Sequence, residues 1–122
     1  EEVTVNKNVV GIIFSGGPQS VNAEDAFRID LDFRKNRIPI LGICYGHQLL
    51  AKMLNGKIES GESKEYGLTF VTCDVASKLF CGLNSKQKVW MSHGDYVSEL
   101  PENFKITASS DSLKIAAFES DD

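Results

Sequence analysis

At 122 residues, with 42% hydrophobic and 25% charged side chains, the chain has the make-up of one ordinary globular domain and none of the signs of disorder. A formal net charge of −4, with no basic run longer than the pair Arg34 and Lys35, leaves no electrostatic footprint for nucleic acid or an anionic membrane. No apolar stretch reaches the roughly 18 residues of a spanning helix, and the first residues, EEVTVNKN, do not read as a secretory leader.

In chain order, Val9 to Ser15 (VVGIIFS) is a continuous apolar run closed by SGGP, which predicts a buried, parallel-type strand ending in a tight loop. Asn22 or Glu24 opens a stretch predicted to be helical through Lys35, with Ala26, Phe27 and Leu31 inward. Ile38 to Ile43 predicts a second buried strand. Tyr45 to Leu54 predicts a second helix, stopped by Asn55 and Gly56 in a left-handed cap. Strand, helix, strand, helix with short connections implies a parallel sheet with helices packed on it. Lys57 to Glu59, Leu68 to Val75, Lys88 to Ser92, Lys105 to Ser109 and Lys114 to Glu119 then read as short strands, with a helical turn at Ser77 to Phe80. With no linker-like composition between the halves, these strands are expected to extend the sheet by antiparallel pairs within a single domain over residues 1–122.

Three cysteines, Cys44, Cys73 and Cys81, are odd in number and lack C-x-x-C spacing. They support neither a disulfide framework nor a zinc site, and a reducing cytoplasm fits them. Cys44 is the one with a chemical context. It stands between the second apolar strand and the second helix, with Gly42 two positions before it and Gly46 two positions after it. A sharp strand-to-helix turn needs small neighbours, because a Cβ there would collide with the crossing backbone. At the start of a helix, unpaired N–H groups and the dipole favour a thiolate. The bland alternative is a small buried hydrophobe at a strand end.

Ligands bind at the carboxyl ends of strands in open parallel sheets, and both SGGP (Ser15 to Pro18) and Cys44 lie at such ends. Gly17 and the N–H just past the thiol, that of Tyr45, could therefore form an oxyanion hole, although SGGP alone is also an ordinary turn. His93, in the segment WMSHGD (Trp90 to Asp95) read as a strand running into a loop, is one candidate base. His47, on the helix beyond Cys44, is another. Spacing does not choose between them.

GICYGHQ around Cys44, SGGP, KEYG at Lys64 to Gly67 and VWMSHGD at Val89 to Asp95 together resemble the class I glutamine amidotransferase domain of GMP synthetase, from about Val9 to Phe118. The resemblance implies an α/β, flavodoxin-like fold: an open, mostly parallel sheet with flanking helices and antiparallel strands in the second half. Cys44 matches the nucleophile that attacks the side-chain amide of glutamine, and the N–H groups of Gly17 and Tyr45 match the oxyanion donors. Gln48 matches a position that holds the substrate's α-amino and carboxylate end, and Ser92, His93, Gly94 and Asp95 line the same pocket, so His93 is a pocket residue and not the base. The family's base is a histidine in a later FHPE-type motif, oriented by that motif's glutamate. No such motif occurs in these 122 residues, and the family's first strand is also missing, so the chain reads as truncated at both ends. Alone it is expected to be inactive.

The partners implied are L-glutamine and an ATP-pyrophosphatase domain or subunit that converts XMP to GMP. ATP and Mg belong there, and the glutaminase step takes no metal or other cofactor. Two other classes remain open: a different cysteine hydrolase on the same elbow, and a non-catalytic glutamine-binding or docking module.

Overall fold

A computed structural model describes residues 8–27, 29 and 37–120, with backbone alone at 62–65. Two compact units divide the chain, Glu1–Leu50 and Ala51–Asp122. In the first, β1 (Ile12–Phe14) and β2 (Ile40–Gly42) pair in parallel, with Ile12, Ile13 and Phe14 opposite Ile40, Leu41 and Gly42. The bonds from Ile12 N–H to the Pro39 carbonyl and from Ile43 N–H to the Phe14 carbonyl, both 2.9 Å, close the two ends of this ladder. Both strands are shorter than the apolar runs that announce them; β2 is bounded by Arg37 before it and Cys44 after it, which take positive φ, 48° and 53°, where extended pairing cannot continue.

Of the helix expected from Asn22 or Glu24 to Lys35, residues 22–25 are turn and bend and 26–27 are irregular; Leu31 and most of the remainder lie outside the described residues. Ser20 explains the difference. Its Oγ accepts the Asn22 N–H and its carbonyl the Ala23 N–H, a local turn that competes with helix. Phe27 is exposed rather than turned into a core.

The helix that follows β2, α1 (Tyr45–Met53), ends as the sequence predicts. Asn55 adopts φ 70°, its N–H bonds the Lys52 carbonyl at 3.1 Å, and Gly56 N–H bonds the Ala51 carbonyl at 2.7 Å. These are the paired bonds of a Schellman cap. Among the described residues no helix is long and apolar enough to cross a membrane.

The second unit is an antiparallel sheet in the order β4-β3-β5-β6, made of β3 (Lys57–Cys73), β4 (Lys86–Glu99), β5 (Phe104–Ser109) and β6 (Ala117–Ser120). It corrects the sequence reading in three ways. First, these strands form their own sheet instead of extending the β1–β2 pair. Second, the separate strands expected at Lys57 to Glu59 and Leu68 to Val75 are one long strand. It is interrupted where Ser60 faces Asp95 and Glu65 faces His93, so that residues 61–64 stand opposite Gly94 alone. Such a bulge lets a strand absorb extra residues without ending. Third, Ser77 to Phe80 is a turn rather than a helical one, closed by Ser77 Oγ accepting the Phe80 N–H at 3.2 Å.

Burial explains why the strands hold. One cluster joins Ala51, Val97 and Ile115, with Ile58, Leu100 and Phe118 against it. Another joins Val71, Cys73 and Ala108, with Val89 and Met91 against it. Each fully buried aliphatic side chain contributes about 1.5–3 kcal/mol. Alternation places Tyr66, Leu68, Phe70 and Trp90 on the opposite, exposed face of the β3–β4 hairpin, where the Lys86 ammonium lies 5.1 Å from the Phe70 ring centre.

Glu119 on β6 ties the turn after β3 to this sheet. Its carboxylate accepts the N–H groups of Lys78 and Leu79, each at 3.3 Å, and meets Lys105 Nζ at 3.4 Å. Glu119→Ala leaves those donors without it and is expected to lower stability by about 1 kcal/mol, with Glu119→Gln recovering part of the loss. Urea unfolding of the two variants checks the order, and equal stability of Glu119→Ala and wild type would contradict it.

Candidate active site

The carboxyl ends of β1 and β2 lie level, since Phe14 faces Gly42 in a parallel register. The loop Ser15 to Pro18 leaves one strand and Cys44 leaves the other, so parallel pairing delivers loop and thiol to the same edge. A Cβ built on Gly16 would sit 3.5 Å from the Cβ of Cys44. The thiol and the glycine loop are therefore neighbours, as their places in the sequence suggested.

Cys44 is exposed and has φ 53°. This left-handed conformation costs a residue with a side chain about 1–2 kcal/mol. Strain at the tip of a strand-to-helix turn is the mark of a nucleophile elbow, which lifts the side chain clear of its neighbours. The Cys44 carbonyl accepts the Gln48 N–H at 3.1 Å, the first bond of α1, so Cys44 is the residue that caps the helix. Cys44 therefore opens the turn whose N–H groups lack intrahelical acceptors.

The two flanking glycines are required by contact. A Cβ on Gly46 would overlap the backbone of Phe14, and one on Gly42 would lie 2.7 Å from the Gly46 carbonyl oxygen. The helix can start this close to both strands only where neither residue has a side chain. Gly46 N–H is committed to the Ser15 carbonyl at 3.2 Å and to that of Ile43 at 3.0 Å. The N–H of Tyr45, first residue of the helix, has no intrahelical acceptor.

Gln48 is buried within α1, at 7% exposure, and His47 is half-buried on the same helix. The segment Ser92 to Asp95 belongs to the second unit and is not a loop at a strand end: β4 runs straight through it to Glu99. Two features keep it in the sheet. Val97, 2% exposed, anchors the strand beyond it, and the bulge at residues 61–64 across the ladder absorbs the irregularity at Gly94. Ser60 Oγ donates to Asp95 Oδ1 at 2.8 Å, a bond between residues 35 apart that no sequence signal announced. Pairing of β3 resumes after the bulge at Glu65, so Lys64 of the Lys64 to Gly67 segment lies within the bulge, and Gly67 stands at φ 124°.

Of the other cysteines, Cys73 is buried, and burial pushes its thiol up from the ordinary value, which keeps it protonated and unreactive. Cys81 is exposed.

A strained cysteine between a parallel strand and a helix, with a glycine loop beside it, has the geometry of a strand-to-helix elbow on an α/β fold. The class I glutamine amidotransferase family model matches residues 1–122, and the chain belongs to that family. Its relatives include glutamine-hydrolyzing GMP synthases. That of Lactobacillus acidophilus is 53% identical over 116 residues, covering 94% of this chain and 22% of the relative. That of Clostridium perfringens is 47% identical over 116 residues, covering 95% and 23%. The chain thus spans under a quarter of the length of these relatives. Among solved structures, a Thermoplasma acidophilum protein assigned as one subunit of GMP synthase superposes with a TM-score of 0.80 at 28% identity, over 94% of this chain and 59% of that one. A glutamine amidotransferase from Thermotoga maritima shares the fold, with a TM-score of 0.81 at 24% identity over 98% and 56%.

Proposed function

We propose that this chain carries the nucleophile of a glutaminase that supplies ammonia for the conversion of XMP to GMP. The observation that carries the reading is the left-handed Cys44 at the head of α1. The glutamine-hydrolyzing GMP synthase relatives at about half identity support glutamine as the substrate.

The Cys44 thiolate attacks the side-chain carbonyl carbon of glutamine, forming a C–S bond and a tetrahedral oxyanion that the N–H groups of Gly17 and Tyr45 receive. Collapse breaks the C–N bond; the nitrogen takes a proton and leaves as ammonia, and water then hydrolyses the glutamyl thioester to glutamate. Gln48 holds the amino-acid end of the substrate. The proton passes through a base outside these 122 residues, and neither His47 nor His93 takes that role. The 122-residue chain alone is accordingly expected to release negligible ammonia, since losing the base of such a unit costs several orders of magnitude. No metal or cofactor enters this step. ATP, Mg and the nucleotide belong to the synthetase part, in the cytoplasm.

A glutamine-like electrophile separates this reading from an inert elbow. In a Cys81→Ser background, a γ-diazoketone analogue of glutamine should label Cys44 stoichiometrically, and excess L-glutamine should protect it. Labelling that glutamine does not slow would overturn glutamine as the substrate.

A further inference from the structure

The glutaminase chemistry uses only the backbone N–H of Tyr45, yet its side chain is one of the most enclosed groups near the thiol. Tyr45 is 9% exposed, although it stands between an exposed cysteine and an open cleft. The phenol oxygen accepts the N–H of Phe27 at 3.2 Å, across 18 residues of chain. The ring faces the glycine loop: a Cβ on Gly17 would lie 3.6 Å from Tyr45 Cγ and 3.7 Å from its Cβ, so the width of one methyl group separates loop from ring. Ring, loop and the Phe27 segment together line a cleft of about 340 Å³ that runs under Ser15 to Gln19 and reaches Leu49. The other end of the loop is already pinned, by the Gly46 N–H on the Ser15 carbonyl at 3.2 Å.

We propose that the Tyr45 side chain is a positioning residue for the oxyanion loop, its ring forming the wall against which Gly17 is set and its hydroxyl, tied to the Phe27 N–H, fixing that wall. The inference rests on the glutaminase reading. One residue then controls both donors, its own N–H through the helix start and that of Gly17 through the ring. Tyrosine suits the task because a rigid ring with a polar tip can fill an apolar space and still satisfy a backbone donor. Without the ring, the loop faces empty space on the side of the cleft. Donors must stand within a few tenths of an ångström of the developing oxyanion, and a displacement near 1 Å costs about 100-fold in rate.

The test compares Tyr45→Phe and Tyr45→Ala in the intact enzyme, with Cys81 changed to serine. Tyr45→Phe keeps the wall and loses the tie, so kcat for glutamine hydrolysis should fall about threefold to tenfold, as the loss of one neutral hydrogen bond does. Tyr45→Ala loses both and should fall about 100-fold in kcat, with KM for glutamine within about threefold. Alkylation of Cys44 by iodoacetamide displaces iodide and passes through no oxyanion, so its rate should stay within about twofold in both variants. Tyr45→Ala with kcat within about threefold of wild type would overturn the proposal. So would a parallel fall in kcat and alkylation rate, which marks general disruption of the elbow. If the wild-type enzyme itself hydrolyses no glutamine, the glutaminase reading fails first and takes this inference with it.

Discussion

Cys44→Ala and Cys44→Gly in the intact protein should both reduce glutamine-dependent ammonia release by at least about 10⁴-fold, and the glycine variant should be the more stable of the two by about 1 kcal/mol. The two substitutions remove the same sulfur and differ only in a Cβ. At φ 53° that Cβ crowds the following carbonyl, which is the origin of the left-handed penalty. Glycine escapes the crowding but frees the unfolded chain, so the net gain is smaller than the full strain. Steady-state ammonia release measures the first effect and urea unfolding the second. Residual turnover in either variant would remove Cys44 as the nucleophile, and equal stabilities would mean that the elbow stores no strain.

Gly46→Ala should be the most damaging small substitution in the first unit, costing about 3 kcal/mol or more and lowering the yield of folded protein. The new methyl group would meet the carbonyl of Phe14, which is main chain and cannot rotate aside. Moving it away means pulling β1 from the start of α1, which also breaks the Gly46 N–H bond to the Ser15 carbonyl. Gly17→Ala is the internal control. Its Cβ would find an ordinary contact 3.6 Å from Tyr45 Cγ, so its stability should stay within about 0.5 kcal/mol of wild type. Thermal unfolding of the pair decides the matter, and equal melting temperatures would show that the close crossing at Gly46 can relax.

Much of this site was legible in the sequence because it is local. Gly42, Cys44, Gly46 and the apolar flanks lie within a few residues, and short-range sterics dictate what such a string can do. Asn55 and Gly56 stopped α1 for the same kind of reason. The strands of the second half were harder. Gly94 and Asp95 carry turn chemistry, yet β4 passes through them, because the opposing bulge at 61–64 and the burial of Val97 outweigh local preference. The helix expected from Asn22 failed, over its described part, where the Ser20 side chain supplied a competing turn.

The sequence by itself determined the candidate nucleophile, the glycines that make its turn possible and the family to which they belong, since each depends on neighbours along the chain. Only the tertiary structure decided which strands share a sheet, that Gly16 stands against Cys44, and that the Tyr45 ring lies beneath Gly17 with its hydroxyl on Phe27. Those relations join residues between 18 and 28 positions apart in the first unit, and the same residue types would be compatible with many other pairings. What selects among them is the parallel register of two three-residue strands and the space left by glycines without a Cβ, neither of which exists until the chain has folded.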